Sequence, residues 1–349
     1  MIFFHNGKGS ILILTLWVLT LLSVFVVSVG YSTRQRLRKL QHLENRETLR
    51  TVADAGVRQA IYFVNATQGR PFTPHGFSDR PSRGVANFQD VLIGDAMFSV
   101  IVLDGSLAPE KSRDSAHSFR YGVVDEERKI HLNQTNSPQI LKRLFQLAAG
   151  LNEVDAHTIA VSILDWRDED DFPYDRGAES FYYKSRKPPY IPKNADFNSL
   201  EELLLVRGVS PEIYRKVLPY LTLDSSGKIN INTASRVVLE AVGFSESLTS
   251  KIWRYRAGKD TREGTRDDKF FKDLSTVADN ISGIYYLTDD ERGSLESFIG
   301  SGMIIVRSEN FSIHSIARFK NRANPTLTIH CVVTLDGRIK RWQEYFNVA

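Results

Sequence analysis

Apolar residues form one uninterrupted run near the start of the chain. No charged side chain occurs from Ser10 to Tyr31. At about 1.5 Å per residue, this run makes a helix of roughly 33 Å, which is long enough to cross the hydrocarbon core of a bilayer. A secretory signal would have a shorter apolar core of about 7–15 residues and a small-residue cleavage site after it. We therefore predict a transmembrane helix over 10–31.

The helical pattern continues beyond the apolar run. From Thr33 to Val64, apolar residues recur at helical spacing, charged residues fill the positions between them, and no proline intervenes. We predict one long helix, half in lipid and half packed against a domain. The predicted buried stripe comprises Leu37, Leu40, Leu49, Val52, Ala53, Val57, Ala60, Ile61 and Val64.

Strand and helix patterns then follow in three blocks. After a glycine- and proline-rich loop over 65–87, Ala96 to Leu103 is strand-like. Phe119 to Val124 and Lys129 to Leu132 flank a polar turn, which predicts a hairpin. Helical patterns dominate from 136 to about 295. Strands are predicted again at Met303 to Arg307, Phe311 to Phe319, Leu327 to Leu335 and Ile339 to Phe346.

Short signals mark the ends of several elements. Asn136 or Ser137 is predicted to cap the first helix of the middle block, and Gly150 to end it. Asp155 is predicted to cap the next helix, and Asp336-Gly337 to form a hairpin turn. Strands on both sides of a helical block indicate a helical domain inserted into a sheet domain.

Composition excludes some classes of site. The net charge of +4 comes from 45 basic and 41 acidic residues and does not by itself indicate nucleic acid. The single cysteine, Cys331, excludes an intramolecular disulfide and a cysteine-based zinc site, and its strand-like surroundings predict a buried side chain. The sequence has no G-x-S-x-G, H-E-x-x-H, P-loop or Rossmann glycine pattern, so we expect a protein that is not an enzyme.

The junction before the apolar run resembles the processing site of type IV pilin-like precursors. These precursors carry a short basic leader that ends in glycine and is cut there by a prepilin peptidase, which typically also methylates the new N-terminus. Lys8-Gly9-Ser10 matches this junction, and the resemblance implies cleavage between Gly9 and Ser10. Leu14 would be the fifth mature residue, where most pilins have glutamate. A subunit that lacks this glutamate resembles the minor pseudopilin that caps the assembly.

The helical block itself resembles the minor pseudopilin K family of the type II secretion system (general secretion pathway protein K). The matching residues are Ala53-Asp54-Ala55-Gly56, Asp165-Trp166, Asp168, Asp170, Gly177-Ala178-Glu179, Tyr182-Tyr183, Pro189-Tyr190, Asn194, Glu201-Glu202-Leu203, Val206-Arg207-Gly208-Val209 and Ile229-Asn230-Ile231-Asn232-Thr233-Ala234. The resemblance implies an α+β, pilin-like fold, in which a long N-terminal helix packs on an antiparallel sheet and a large all-α domain with helix-hairpin-helix-like units is inserted. The expected divisions are a leader over 1–9, a transmembrane helix over 10–31, the first part of the pilin-like domain over 32–135, the inserted domain over 136–295 and the second part over 296–349.

Acidic residues are dense over 165–179, in the predicted inserted domain. Besides Glu169, they are Asp165, Asp168, Asp170, Asp171, Asp175 and Glu179. Carboxylates at this density repel one another unless water, cationic side chains or a hard metal ion neutralises them, and calcium prefers oxygen ligands on irregular loops. The spacing is not that of an EF-hand, and the residues alone leave calcium and a solvated acidic turn both open. The family resemblance implies a structural calcium ion, with Asp165, Asp168, Asp170, Asp171 and Glu179 as candidate ligands.

Two helical hairpins offer a rival function. The segments around Arg207-Gly208-Val209-Ser210 and Gly243-Phe244-Ser245 resemble helix-hairpin-helix units, which present backbone N–H groups to DNA phosphate in other proteins. A membrane-anchored DNA-binding protein of the competence type is therefore the alternative. Glutamates flank both hairpins and oppose phosphate, so we favour packing or protein contact over nucleic acid.

The resemblance implies a role in protein secretion. A minor pseudopilin K would sit in the bacterial inner membrane with a single span and its C-terminal domain in the periplasm, in contact with membrane lipid. It would cap the tip of the pseudopilus and help to initiate its assembly, with minor pseudopilins I and J as partners and major pseudopilin G below. The basic cluster from Arg34 to Lys39 opposes this orientation, because positive charges next to a span favour the cytoplasmic side.

Overall fold

The computed structural model describes residues 8–66, 87–102, 120–263, 265, 267–321 and 325–347. Most of the predicted leader, most of the loop predicted over 65–87, and the strand ends predicted at Leu103 and Phe119 lie outside these residues.

One helix accounts for the whole described N-terminal part. α1 runs over Lys8–Ala66, and its apolar part from Leu12 is, among the described residues, the one segment long and apolar enough to cross a membrane. The predicted stripe is buried from Leu49 to Val64. The prediction is wrong for Leu37 and Leu40, whose side chains are 54% and 55% exposed. The sheet reaches α1 only from about His42, whose ring lies 5.2 Å from that of Phe346, so earlier residues have no surface to pack against.

The sheet that covers α1 is antiparallel and has the order β1-β2-β9-β10-β11, with β3 paired to β2 and β4 paired to β9. Its strands are β1 (Val91–Ile93), β2 (Ala96–Val102), β3 (Arg120–Tyr121), β4 (Val124–Asp125), β9 (Asn310–Phe319), β10 (Thr326–Thr334) and β11 (Ile339–Asn347). Alternate residues of the central strands face α1 and form the first core: Phe98, Val100, Ile313, Ala317, Leu327, Ile329 and Cys331.

Two glycines matter for this packing. A Cβ at Gly56 on α1 would lie 2.7 Å from the Phe98 ring, so the absence of a side chain lets the helix approach β2 closely. Gly337 has φ +83° in the turn between β10 and β11, which confirms the hairpin predicted at Asp336-Gly337. Cys331 is fully buried, as predicted.

The middle of the chain forms a second, mostly helical core. Its helices are α2 (Pro138–Ala149), α3 (Glu153–Arg167), α4 (Ser180–Lys184), α5 (Pro211–Val217), α6 (Arg236–Val242), α7 (Glu246–Arg256), α8 (Val277–Ser282) and α9 (Asp289–Gly300). Two short parallel pairs join them: β5 (Ile130–His131) with β6 (Leu221–Thr222), and β7 (Ile229–Asn230) with β8 (Ile304–Ile305).

The ends of α2 and α3 can be compared with the helix caps that the sequence predicts. Ser137 accepts a hydrogen bond from the Ile140 N–H and Gly150 has φ +71°, so both predicted ends of α2 are confirmed. The N-cap predicted at Asp155 is wrong. Asn152 is the cap, since its side chain accepts from the Asp155 N–H at 2.9 Å, and Asp155 lies within the first helical turn.

Residues 125–128 are buried where the two cores meet. β4 belongs to the large sheet, whereas β5 pairs with β6 of the helical part, and Glu126–Arg128 form a single 3-10 turn between them. The hairpin predicted between 119–124 and 129–132 is therefore wrong. Charged side chains are typical of exposed turns, and the local pattern does not indicate that distant residues donate hydrogen bonds to these side chains.

All six carboxylate oxygens of Asp125, Glu126 and Glu127, which we call the junction cluster, accept hydrogen bonds. Besides backbone N–H groups, side-chain donors come from both cores and include Lys129, Thr222, Asn230, Thr233, Asn310 and Ser312. The junction cluster therefore ties the helical core to the end of β9.

The predicted fold class is confirmed: a long N-terminal helix packs on an antiparallel sheet, and a mostly helical part is inserted between its strands. The exact division at 136 and 295 stays a prediction. The two cores meet near 125–130 and again near 306–310.

Candidate metal centre

The acidic segment begins in the last turn of α3. Asp165 is fully buried there, and its two carboxylate oxygens accept hydrogen bonds from the N–H groups of Tyr174, at 3.1 Å, and Ala178. The loop therefore folds back over the end of the helix. A Cβ at Gly177 would collide with the Asp165 carboxylate, so glycine is required for this close return.

Three carboxylates converge at this point. Asp165, Asp168 and Glu179, which we call the loop cluster, each place an oxygen within 4.8 Å of the others. Asp168 is the C-cap of α3, and Glu179 is the residue before α4. Glu179 is only 4% exposed, yet neither of its carboxylate oxygens accepts a hydrogen bond from a described residue, and Oδ1 of Asp168 is also buried without a donor.

The electrostatics of the loop cluster follow from this arrangement. Burial, and then the charges of Asp165 and Asp168, raise the pKa of Glu179 to about 8. Burial also raises the pKa of Asp165 to about 6, although two backbone N–H groups oppose the shift. Burial and the charge of Asp170 raise the pKa of Asp168. Either a proton held on Glu179 or a bound cation would relieve this repulsion.

The other two predicted ligands are exposed. Asp170 accepts from the Phe172 N–H at 2.8 Å, and Asp171 accepts from the Ser180 N–H at 3.0 Å. Hydrogen bonding to the Ser180 side chain, and then to its backbone N–H, lowers the pKa of Asp171. Neither belongs to the group of three converging carboxylates. Both remain close enough for their charges to raise the pKa of Glu179.

Asn194 lies at the same loop and was not predicted as a ligand. Its backbone N–H donates to the Trp166 carbonyl at 3.0 Å, and its side-chain amide donates to the Asp170 carbonyl at 3.0 Å. Its Oδ1 atom is buried without a donor among the described residues. Because Asn194 is neutral and distant from the acidic run in sequence, only its place in the family resemblance could have drawn attention to it.

Aromatic side chains enclose one side of the loop. Trp166 and Tyr183 are buried, and their rings meet edge to face with centroids 5.3 Å apart. The Phe181 side chain, in contrast, is 91% exposed. Phe181 and Tyr183 are two residues apart on α4, so they point in nearly opposite directions and only one of them can face the core.

The residues present fit a calcium ion. Calcium takes six to eight oxygen ligands from carboxylates, amide and backbone carbonyls, and water. Buried oxygens of Glu179, Asp168 and Asn194 accept no hydrogen bond from a described residue, and thiol ligands are absent from this described segment. Such a donor set favours a hard cation over zinc or copper.

The residues of the predicted processing site and Leu14 lie on α1. Gly9 and Ser10 lie in the helical backbone of α1, and Leu14 is 65% exposed on the same helix. Cleavage between Gly9 and Ser10 stays a prediction.

Arg207, which a DNA-binding role would use, is engaged with the acidic loop. It donates from Nη1 to the Gly177 carbonyl at 2.9 Å, and its guanidinium lies 4.8 Å from the centroid of the Tyr182 ring. In the second hairpin the Ser245 side chain accepts from the Leu248 N–H. These contacts favour packing over phosphate binding.

The region that contains the loop cluster is similar to a known protein family. Residues 123–225 match the family model described as type II secretion system (T2SS), protein K. The resemblance to protein K is confirmed. The matched region includes both the junction cluster and the loop cluster.

Curated relatives extend the similarity. Type II secretion system protein K of Pectobacterium carotovorum subsp. carotovorum is 28% identical over 155 residues, which are 43% of this chain and 46% of that protein. Protein K of Pseudomonas aeruginosa is 27% identical over 192 residues, which are 52% of this chain and 54% of that protein. The chain thus spans about half the length of the curated relatives it matches.

A solved structure shares the fold over a larger part of the chain. It is the crystal structure of the GspK-GspI-GspJ complex from the enterotoxigenic Escherichia coli type 2 secretion system. The TM-score is 0.57 at 16% identity, and the match covers 90% of this chain and 99% of the other. The similarity of fold therefore extends well beyond residues 123–225.

Proposed function

We propose that the chain is a minor pseudopilin of a type II secretion system with a structural, non-catalytic role. The main support is the coincidence of two observations on one chain. A protein K domain matches residues 123–225, and a GspK-like fold extends over 90% of the chain, with a long apolar helix at its start.

In this proposal α1 anchors the chain in the bacterial inner membrane with a single span, and the C-terminal domain lies in the periplasm. Prepilin peptidase cuts between Gly9 and Ser10 and methylates the new terminus. The absence of glutamate at Leu14, together with the bulky inserted part, supports a place at the tip of the pseudopilus, where no subunit stacks above. The complex of the solved relative supports pseudopilins I and J as partners. In this proposal major pseudopilin G lies below them.

Calcium has a structural role in this proposal. Asp165, Asp168 and Glu179 hold the ion, and exposed Asp170 and Asp171 contribute nearby negative charge. The ion supplies positive charge that neutralises the buried carboxylates. The chain's own contribution is to fix the loop: Gly177 permits the close return, and Arg207 ties the loop to the segment before α5.

Mass spectrometry of the chain purified from cells with an active prepilin peptidase tests the processing and the protein class together. We expect a mature chain that begins at Ser10 and carries one added methyl group. The variant Gly9→Val should retain residues 1–9 and fail to support secretion. A wild-type chain that still begins at Met1 would contradict the proposal.

Assembly at the tip has its own test. The chain should copurify with pseudopilins I and J in the absence of pseudopilin G, and deletion of its gene should abolish secretion. Normal secretion without the chain, or association with G alone, would contradict the tip position.

A further inference from the structure

The positive charge of this chain is concentrated at one place. The first 43 residues contain five basic and no acidic side chains, and Glu44 is the first acidic residue. The remaining residues carry 40 basic and 41 acidic side chains, so the net charge of +4 comes entirely from this N-terminal part. Four of the five cations, Arg34, Arg36, Arg38 and Lys39, directly follow the apolar run and form what we call the basic collar.

The basic collar has no protein counter-charge within the described residues. All four side chains are exposed, and none forms an ion pair with another residue that the structure describes. Cations further along the same helix are different. Arg50 pairs with Glu344 at 3.0 Å, Arg58 pairs with Asp54 at 2.6 Å, and Arg46 lies over the Phe346 ring.

The collar also occupies more than one face of the helix. At about 100° per residue, Arg34 and Arg38 lie within roughly 40° of each other, whereas Arg36 lies on the opposite side and Lys39 between them, so the four cations span about 200° of the circumference. A protein partner would meet one face of α1. Cations spread over more than half of the circumference at the end of an apolar span instead fit a membrane surface, about 5–12 Å beyond Tyr31 along the axis.

We propose that the basic collar binds the headgroups of anionic phospholipids at the membrane surface where α1 leaves the bilayer. This inference rests on the part of the proposed function that makes α1 a membrane span. Anionic headgroups attract basic side chains that adjoin a span, and each contact is worth roughly fivefold in association constant. The long stems of arginine and lysine reach the headgroup region while their backbone remains helical.

Lipid selectivity of the full chain in bilayers tests the inference. The full chain is reconstituted into phosphatidylcholine bilayers, and spin-labelled phosphatidylglycerol and phosphatidylcholine report the relative association of each lipid with the protein. We expect phosphatidylglycerol to be preferred severalfold, with a preference that declines at high salt because exposed charges are screened. Inorganic phosphate at millimolar concentration should leave the preference in place, since the ligand is a headgroup held at the membrane surface.

Two double variants distinguish the effect of the basic collar on lipid preference from the effect of the net charge of the chain. Arg36→Gln with Arg38→Gln should lower the preference for phosphatidylglycerol at least fivefold or abolish it. Arg46→Gln with Arg58→Gln removes the same charge from the same helix beyond the collar and should change the preference less than twofold. Equal association of both lipids with the inserted wild-type chain, or equal loss in both variants, would overturn the inference.

The same lipid-association measurement gives a different result if α1 is not a membrane span. If α1 does not span the membrane, neither lipid shows a motionally restricted fraction, and the chain separates from the vesicles on flotation. That result would overturn the proposed membrane span together with the collar. Restricted lipid without headgroup selectivity would overturn the collar and leave the span intact.

Discussion

Two groups of three carboxylates in this molecule have nearly the same composition and opposite surroundings. In the junction cluster, Asp125, Glu126 and Glu127 are buried, and every carboxylate oxygen accepts a hydrogen bond. In the loop cluster, both oxygens of Glu179 are buried without a donor. A buried acid is therefore not in itself a sign of a metal ion. The informative feature is a buried acid for which the protein supplies no donor.

Glu126 shows that protein donors can keep a buried acid ionised. Although burial opposes its charge, the attraction of Lys129 and hydrogen bonds from Ser312 and Thr222 lower the pKa of Glu126 to about 2. Glu179 shows the reverse, with a pKa raised to about 8. Within the junction cluster, burial and the charge of Asp125 also raise the pKa of Glu127 to about 7, so the clearest contrast is between Glu126 and Glu179. The comparison predicts that Glu126 needs no cation besides Lys129, whereas the loop cluster depends on a bound cation.

Removing Glu126 should have the largest effect. Glu126→Ala leaves Lys129 and two hydroxyl groups buried without their acceptor, and breaking such a buried pair costs about 3–5 kcal/mol. Chemical denaturation of the full chain in detergent measures the loss, and added calcium should not restore it. Glu153→Ala is the matched control, because Glu153 pairs with Lys142 while 75% exposed and should cost at most about 1 kcal/mol. Similar losses in both variants would contradict the role of the junction cluster.

Removal of calcium should have the next largest effect. A ligand present at a hundred times its dissociation constant stabilises the folded state by about 2.7 kcal/mol, so a chelator should lower the Tm by roughly 5–10 °C. Differential scanning calorimetry with and without chelator measures the shift, and readdition of calcium should reverse it. An unchanged Tm at saturating chelator would contradict a structural ion at the loop cluster.

Glu179→Gln should raise the stability of the folded protein without calcium and lower it with calcium. In chelator at neutral pH, the wild-type protein must bind a proton at Glu179 when it folds, because burial raises the pKa of this residue to about 8, whereas the neutral amide of the variant needs none. We therefore expect the variant to be more stable than the wild type by about 1 kcal/mol. With calcium it should be the less stable protein, because a ligand is lost. Asp171→Asn is the control, since Asp171 is exposed and hydrogen-bonded to Ser180. If the variant is less stable than the wild type both with and without calcium, Glu179 has a packing role and is not a calcium ligand.

The smallest expected effect is a pH dependence of the chelated protein. The folded-state pKa of Glu179 lies above its ordinary value, so the folded state binds this proton more tightly than the unfolded state does. The free energy of unfolding should therefore fall as the pH rises from about 4.5 to about 8. Calcium replaces the proton, and the Tm difference between calcium-loaded and chelated protein should widen over the same pH interval. A constant difference would contradict the shift at Glu179.

The sequence predicted the local features of this fold well. The long helix, the cap at Ser137 and the turn at Asp336-Gly337 depend on neighbouring residues, and the structure has all of them. The acidic loop was found because its residues are close in sequence, and three of the five candidate ligands converge.

Features that depend on distant residues were not predictable in the same way. Apart from Lys129, the side-chain partners of Glu126 and Glu127 lie about a hundred to nearly two hundred positions further along the chain, so the local pattern predicts the turn of a hairpin at residues 125–128. Asn194 reaches the loop cluster only through tertiary structure. The exposure of Leu37 and Leu40 depends on where the sheet ends, which the helical period does not contain.

The pairing of β4 with β9 has a further consequence. Asp125 stands opposite Phe311, so the polypeptide departs from the sheet and comes back to it at adjoining positions. An inserted segment whose two ends are adjacent can become longer or shorter, or can be replaced, without distorting the large sheet. Natural selection could thus change the size of the inserted part through mutations at a single crossing point.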